Sequence, residues 1–507
     1  MAKTGRATKN FYAAGLAAAQ EGRHSDAIAA YERALERSPE DARVLFALGN
    51  TAEALGLTDA AETFFRRVLA QSPDRLEAIV NLANVLRKRR RTSDVIELLR
   101  PALERNPTAS ELWLTLGSAM RESGDARNGE TFTREALRLA PDSAAALGNL
   151  ADMLADKGAV DEALALYGTA LAHEPENAQA HMNRAILWLL KADLRQGWSD
   201  YEYRLRIRGR AITADHGLPQ WDGDDRNNLH LLVTAEQGIG DQLMFASLIP
   251  ELVNRLAERK GRLLLEAEPR LVSLLGRSFP SVRVEPANIE IRGGQLFAGY
   301  DWLQGGADAA IALGSLPRLM RSTASAFPNP HSYLVADPAD RARWHDWLKT
   351  EGSATCIGLC WRSGSLGGLR NLQYAPLEDW AAFARHVPGT LVSLQYDARP
   401  EEIDRLQKLS GRKILTPPGL DQKREIDRAA AFIANMDAVV SAPTSVAWIA
   451  AGLGVPTFKI LYNNSWTAFG CDYEPFAPSA RCIMPRTPGA WSDVFAKAAL
   501  ALNTITR

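Results

Sequence analysis

An excess charge of either sign is absent from this 507-residue chain: 59 lysines and arginines face 60 aspartates and glutamates, a formal net charge of −1. A chain so balanced sets up no global field for nucleic acid or an anionic membrane, so a charged partner must be met by a local site. No apolar run approaches the roughly 20 residues of a membrane span. The polar, basic start MAKTGRATKN leads into no uninterrupted apolar segment of the kind a secretory signal carries. Cysteine is scarce. Cys356, Cys360, Cys471 and Cys482 form no C-x-x-C pair, which argues against a cysteine-based zinc site and is expected of free core thiols in a cytoplasmic protein without structural disulfides. No cluster of His, Asp and Cys has metal-ligand spacing either. At this length one core does not suffice, and about one domain per 100–200 residues predicts two or three.

What the chain has in plenty is a repeat. Pro39, Pro73, Pro107, Pro141 and Pro175 recur at an interval of about 34 residues, a period that marks stacked helix pairs. Small residues recur at one helix-contact point, Gly15, Gly49, Ala83, Gly117 and Ala151, and at a second, Ala27, Ala61, Val95, Gly129 and Ala163, where they let two helices approach closely. Four positions after the second point stand Tyr31, Phe65, Leu99 and Tyr167, expected to fill space between neighbouring repeats, with Thr133 a weaker match. This pattern resembles the tetratricopeptide-repeat family over five units, and Ala185, Gly197 and Tyr201 continue it as a degenerate sixth. The resemblance implies a superhelix whose concave groove takes a peptide, a spacer or dimerisation surface being the alternative. The basic run Arg87 to Arg91 falls in a turn, as a solvated loop or a contact for an acidic partner.

From Arg204 to Asn228 the helical period gives way to Gly, Pro, Asp and Asn, the composition of a connector, with Pro219 and Trp221 expected to pin it onto the next domain. The division read from this is 1–205 for the repeats, 206–228 for the connector, and 229–335 and 336–507 for two further halves. In each half, apolar strand-like runs alternate with amphipathic helices. Leu229 to Phe245 reads as strand, loop, helix, followed by strands at Arg262 to Glu266, Val282 to Glu285 and Ala309 to Leu313, with a loop through Tyr300 and Asp301. The second half offers CIGLCW, TLVSLQY, KILT, AVVSA and TFKILY. Alternation of this kind predicts parallel sheets covered by helices, with ligands at the carboxyl ends of the strands. The expected fold is therefore multidomain: an all-α repeat superhelix, then an α/β body of two Rossmann-like halves facing a cleft, the arrangement of a GT-B glycosyltransferase.

The motifs AEQGIGDQLMF, GLCWRSG with RNLQYAPLEDW, VSLQYD and the stretch from PPGLDQ to GLGVPT resemble the bacterial tetratricopeptide-repeat glycosyltransferases, whose catalytic part is similar to the heptosyltransferases. The branch that includes flagellin glycosyltransferases is the nearest in pattern. The resemblance implies an inverting, metal-independent enzyme with no cofactor beyond its nucleotide-sugar co-substrate. It would move a sugar, by this branch a CMP-linked nonulosonic acid, to Ser or Thr of a protein such as flagellin, captured by the repeats. A saccharide or lipid-linked acceptor, and a non-catalytic adaptor with a degenerate transferase body, are the alternatives.

Particular residues follow from the motifs. Gly238 and Gly240 permit a tight turn, Gln242 lies beside it on the acceptor side, and the family's aspartate near the acceptor hydroxyl falls on Asp241. A carboxylate there could act as general base, cap its helix or support a phosphate loop; Glu236 is the reserve base. Arg362, Ser363 and Gly364 follow a strand directly, beside Gly367, Gly368 and Arg370, where a guanidinium could make paired bonds to the donor. Thr444, Ser445 and Val446 open a helix, a setting for phosphate. Gln395, Tyr396 and Lys423 are further donor-side candidates. Many relatives carry aspartate at the position of Pro443 and histidine at that of Trp448, a departure that points to a different nucleotide sugar or to lost activity.

Overall fold

Close approach of paired helices decides the first part of the chain. A computed structural model describes residues 2–207, 209–236, 238–292, 295–328, 332–352, 355–364 and 368–505, with side chains at all of these except 2–7, 368–370 and 504–505. Its contacts divide it into two compact units, the first Met1–Asn183 with Arg206–Ala211 and Glu290–Phe297, the second Arg184–Leu205 with Ile212–Ile289 and Ala298–Arg507. The period in the sequence places the first boundary near residue 205. Contacts place it after Asn183, so the second helix of the sixth repeat groups with the α/β body.

In the first unit, helices run in pairs, from Ala2–Gln20 with His24–Leu35 to Ala144–Asp156 with Val160–His173. A Cβ added at Gly15 would lie 2.4 Å from the Tyr31 ring, and one at Gly49 would lie 2.6 Å from Phe65. The large residue therefore seats on the small one of its own repeat and also belongs to a core shared with the next, Tyr31 with Val44 and Leu48, Phe65 with Ile79 and Leu82. In the fourth repeat, where Thr133 replaces the aromatic ring, an added Cβ at Gly117 would meet Thr133 Oγ1 at 2.5 Å and the Gly129 carbonyl at 2.9 Å, so the helices there touch through backbone. Successive repeats are tied by side-chain amides: Asn81 donates to Asn50 (2.8 Å), Asn149 to Ser118 (2.9 Å) and Asn183 to Asp152 (3.0 Å). The basic run is spent on the array itself, with Arg87 on Glu122, Lys88 on Glu53, and Arg89 and Arg91 both on Glu62.

In the second unit, four parallel strands form one sheet: β1 (His230–Thr234), β2 (Arg262–Ala267), β3 (Arg283–Pro286) and β4 (Ala309–Ala312), in the order β3-β2-β1-β4. Six more form another: β5 (Cys356–Cys360), β6 (Thr390–Ser393), β7 (Ile414–Leu415), β8 (Ala438–Ser441), β9 (Thr457–Ile460) and β10 (Ala480–Ile483), in the order β7-β6-β5-β8-β9-β10. Both orders reverse direction beside their first strand, and the second is the doubly wound order 3-2-1-4-5-6. A crevice opens where the order reverses, at the carboxyl ends of β1 and β4 and of β5 and β8. The connector is pinned as expected: Trp221, 1% exposed, donates its backbone N–H to the Ala310 carbonyl (2.8 Å) and Ala310 donates to the Pro219 carbonyl (2.9 Å). Three strands escape the pattern of the sequence. The strands Asn288–Arg292 and Gln295–Gly299 occupy part of a stretch with no clear alternation, and β10 carries Arg481 on a short run.

The segment Leu194–Tyr201 explains why residues 184–205 belong here. Trp198 is 1% exposed and meets Phe245 of the first half and Phe469 and Phe476 of the second edge-on, with centroids 5.8–6.4 Å away. Its indole N–H donates to the Arg321 carbonyl at 3.0 Å. One aromatic ring thus fills the place where both halves meet the helix. Trp198→Ala should destabilise the second unit by about 3–5 kcal/mol, the scale of a large core truncation. A chain starting at Ile212 should aggregate on expression while one starting at Ala178 melts cooperatively; equal thermal midpoints for the two would refute this.

Candidate functional site

Three strand ends build the site. β1 ends at Thr234 and, past Gln237, which lies outside the described residues, the chain turns through Gly238 (φ 93°, ψ 111°) into the helix Ile239–Ala246. A side chain at 238 would be strained by that φ and would also lie 2.8 Å from Asp241 Oδ2, so glycine is required twice over. Gly238 is the cap and Asp241 the third helical residue. Asp241 therefore does not cap this helix; it stands exposed in the first turn, where the positive end of the helix favours an anion.

From the other half, β5 leads into Ser363 and Gly364, and β8 leads through Pro443 into the helix Ser445–Gly452. Thr444 is its N-cap residue but makes no side-chain capping bond. Its hydroxyl turns instead toward Cys360 Sγ (3.5 Å) and Ser441 Oγ (3.3 Å), which leaves the start of the helix without a side-chain cap. Tyr396 Oη accepts from the Gly364 N–H (2.6 Å) and donates to Ser363 Oγ (3.3 Å), and this bond fixes the loop after β5.

These pieces surround one cavity of about 540 Å³. Of the residues singled out in sequence, it brings together Gly238, Gly240 and Asp241 from one half and Ser363, Gly364, Tyr396, Lys423, Thr444, Ser445 and Val446 from the other. Pro443 and Trp448 line it as well. Trp448 closes the gap between the halves: an added Cβ at Gly240 would lie 3.5 Å from Trp448 Cδ1. On its other side the Lys459 ammonium, itself in a buried pair with Glu474, stands 4.5 Å from the indole centroid.

Four expected site residues do other work. Arg362 is 7% exposed and is absent from the cavity wall. Its guanidinium donates to both oxygens of Glu402 (2.9 and 2.6 Å) and to Asp397 Oδ1 (2.9 Å), so the paired bonds expected for the donor are made inside the protein. Burial works against the charge on Glu402, but the bonds from Arg362 outweigh it and hold that carboxyl below its ordinary range. Gln395 accepts from the N–H groups of Trp361 and Arg362 (both 3.0 Å) and donates to the Arg362 carbonyl (2.9 Å), stitching the loop rather than facing a base. Gln242, 3% exposed, donates to the Glu236 carbonyl and accepts from Glu268 N–H. Glu236 is the clearest correction. Arg204 reaches both its oxygens (2.8 and 2.6 Å), and Oε1 also accepts from Gly314 N–H (2.6 Å), so its carboxylate is spent on bonds inside the protein. Arg370, Gly367 and the Gly368 side of that loop lie outside the residues whose side chains are described.

Sequence reasoning overlooked Arg270, Gln373, Tyr374 and Gln422, which line the cavity. Arg270 follows the carboxyl end of β2, the one positional signal it had. It donates to Glu268 (2.6 Å) and to the Lys423 carbonyl (2.9 Å). A continuous chain of hydrogen bonds thereby runs from Arg204 through Glu236, Gln242, Glu268 and Arg270 to the Lys423 backbone. Behind it, Glu266 at the end of β2 is 1% exposed and accepts from Ala235 N–H (2.9 Å) and Tyr300 Oη (3.1 Å); burial pushes its carboxyl up. Among the described residues no group of three or more His, Cys, Asp and Glu side chains is placed to hold a metal ion, and no helix is long and apolar enough to cross a membrane.

Family models described as tetratricopeptide repeat match residues 12–75, 123–170 and 160–194, and a second such model matches 52–119. With the sheets above, the chain is a tetratricopeptide-repeat protein with a C-terminal α/β region whose parallel sheets are compatible with Rossmann-like domains. It is homologous to Protein FlbA of Caulobacter vibrioides, 33% identical over 363 residues, which is 70% of this chain and 60% of that one. The chain thus spans less than two thirds of that relative's length. Among solved structures, a thermophilic TPR protein of Thermus thermophilus is 26% identical with a TM-score of 0.33, over 36% of this chain and 100% of its own. Pseudomonas aeruginosa pilF is 19% identical with a TM-score of 0.33, over 41% of this chain and 92% of its own.

Arg362→Ala should leave nucleotide affinity unchanged and instead destabilise the protein by about 3–5 kcal/mol, because Glu402 and Asp397 would be left without their cation. Glu402 has a lowered folded pKa, so its share of stability is present above the ordinary carboxylate range and is lost as pH falls through the lowered value. The gap between wild type and variant should therefore be full at neutral pH and shrink in acid. Calorimetric titration alongside denaturation at several pH values checks both; weaker nucleotide binding at unchanged stability would restore Arg362 to the donor.

Proposed function

We propose that this protein is a glycosyltransferase of GT-B type that moves a sugar from a nucleotide donor to a Ser or Thr hydroxyl of a polypeptide captured by its repeats. The observation that carries this reading is the cavity itself: a carboxylate, Asp241, on one wall faces a helix start, hydroxyls and Lys423 on the other. Displacement at an anomeric carbon needs those two opposed provisions. On one side Asp241 accepts the proton from the acceptor hydroxyl as its oxygen bonds to the anomeric carbon. On the other the bond to the leaving phosphate breaks, and the electron pair departs onto oxygens met by the N–H groups at the start of Ser445–Gly452, the Ser445 hydroxyl and the Lys423 ammonium. Attack from the face opposite the leaving group inverts the anomeric centre.

The nature of donor and acceptor rests on the motifs rather than on the cavity. A CMP-linked nonulosonic acid as donor, flagellin as acceptor and the cytoplasm as the place of reaction are the specific form of the proposal. Capture by the repeats is supported by an open groove of about 490 Å³ in the first unit, lined by Leu103, Trp113, Leu116, Met120 and Phe132, an apolar surface of the sort that takes peptide side chains.

Incubation of the full chain with flagellin and CMP-N-acetylneuraminic acid, then with UDP- and GDP-linked hexoses, should give a mass increment on the acceptor with one donor class. Capture of flagellin with no increment from any of them would favour the adaptor reading. Asp241→Asn keeps the shape and removes the basicity; it should bind donor normally and lose about 10²–10⁴ in single-turnover rate, the scale of general-base assistance. A rate near that of wild type would take Asp241 out of the mechanism.

A further inference from the structure

Beside the large cavity lies a smaller one of about 320 Å³ on the first-half side, and the two share Gly238, Ile239 and Arg270 in their walls. We propose that this smaller cavity receives an apolar side chain of the acceptor polypeptide, one flanking the hydroxyl that is glycosylated. The inference rests on the transferase reading and adds the sequence preference of its acceptor.

Its polar wall is already satisfied. Glu236 is held by Arg204 and Gly314 N–H, Gln242 spends its amide on the Glu236 carbonyl and Glu268 N–H, and Glu268 is paired with Arg270 at 2.6 Å. The two carboxylates are balanced by the two guanidinium groups, so a charged side chain entering here would lose its water and find no free partner among the described residues. What remains to touch among the described residues is chiefly Ile239, Pro269, Ala287 and Ile289. An aliphatic or aromatic side chain gains by leaving water for such a wall, and a space of this size holds one such side chain together with its backbone. Because the polar frame is bonded to itself from Arg204 to Arg270, the pocket is formed before any occupant arrives, which lowers the cost of filling it.

Position decides between the occupants that an apolar pocket could have. The donor's phosphate end belongs across the large cavity, at Ser445 and Lys423. Ile239, common to both cavities, lies two residues before Asp241, so whatever fills the small cavity sits on the side from which the hydroxyl must approach the carboxylate. The acceptor chain comes from that side, and a residue next to its Ser or Thr falls into the pocket.

The test uses the full chain with the acceptor and donor found active together. Mapping of the modified hydroxyls by mass spectrometry should place Leu, Ile, Val, Met, Phe or Tyr within two positions of each, and synthetic peptides with that residue changed to Asp or Lys should be poorer acceptors by about 10-fold or more. Ile289→Glu, at a residue 39% exposed and so tolerant of charge, should raise the acceptor KM by a similar factor with kcat and donor Kd held. Ala287→Leu, which fills the space, should do the same, and if it fails to fold Ile289→Glu decides alone. Acceptor KM unchanged in a folded Ile289→Glu, or sites flanked by charged residues on both sides, would overturn the pocket assignment alone. A change in donor Kd instead would overturn it in favour of a donor group. No transfer by wild type would sink the transferase reading and the pocket with it.

Discussion

The pairing of Arg204 with Glu236 is the interaction on which the candidate site depends. A guanidinium 8% exposed reaches from the turn Glu202–Arg206 to a carboxylate at the end of β1, and donates as well to Ser315 Oγ (2.9 Å) and the Tyr201 carbonyl (3.1 Å). Ion pairs taken this far from water add little net stability against an apolar substitute, yet they cost several kcal/mol when one partner is removed. Their contribution is to geometry. Here the pair holds the loop that carries Gly238 and aims the helix after it, and Gly314 is confined by the same contact: a Cβ there would lie 2.7 Å from Glu236 and 3.1 Å from Arg204.

A second constraint, apolar rather than ionic, makes that pairing possible. Trp198 and Tyr201 pack against Phe245, in the last turn of the same helix that carries Asp241 at its start, while Tyr333 Oη donates to the Leu243 carbonyl at 2.9 Å and its backbone N–H to Gly452. The helix Ile239–Ala246 is therefore fixed at its start by charge and hydrogen bonds and at its end by aromatic edges. Asp241 therefore sits on a short element held at both ends. The helix that supplies Trp198 continues the register of the repeats, so a segment built to the repeat pattern shapes the candidate site of the second unit.

Sequence and structure agree on backbone and disagree on single side chains. Glycine at 238, the strand before it and the helix after it were readable because φ > 0 and apolar periodicity leave a local signature. Ser363, Gly364, Thr444 and Ser445 line the cavity; each lies just past a strand, and the carboxyl ends of parallel strands are where crevices form. Arg362 and Gln395 follow strands too, yet their side chains turn inward, since Glu402 and Asp397 stand within reach on the neighbouring loop and helix. Nothing local in GLCWRSG announces partners some 35–40 residues away.

By itself the sequence determined the repeat period, the alternation that yields two parallel sheets, and the positions where chain turns from strand to helix, because each is set by spacing within a few residues. The tertiary structure alone decided where each charged group sits. Glu236 and Asp241 are five residues apart and chemically alike, but Arg204, brought from 32 residues upstream, holds both oxygens of Glu236, whereas Asp241 stands exposed on the cavity wall. It also decided that residues 184–205 belong with the α/β unit, since the helix pattern carries the repeat register through Tyr201 and only the aromatic contacts of Trp198 reveal where that helix is buried.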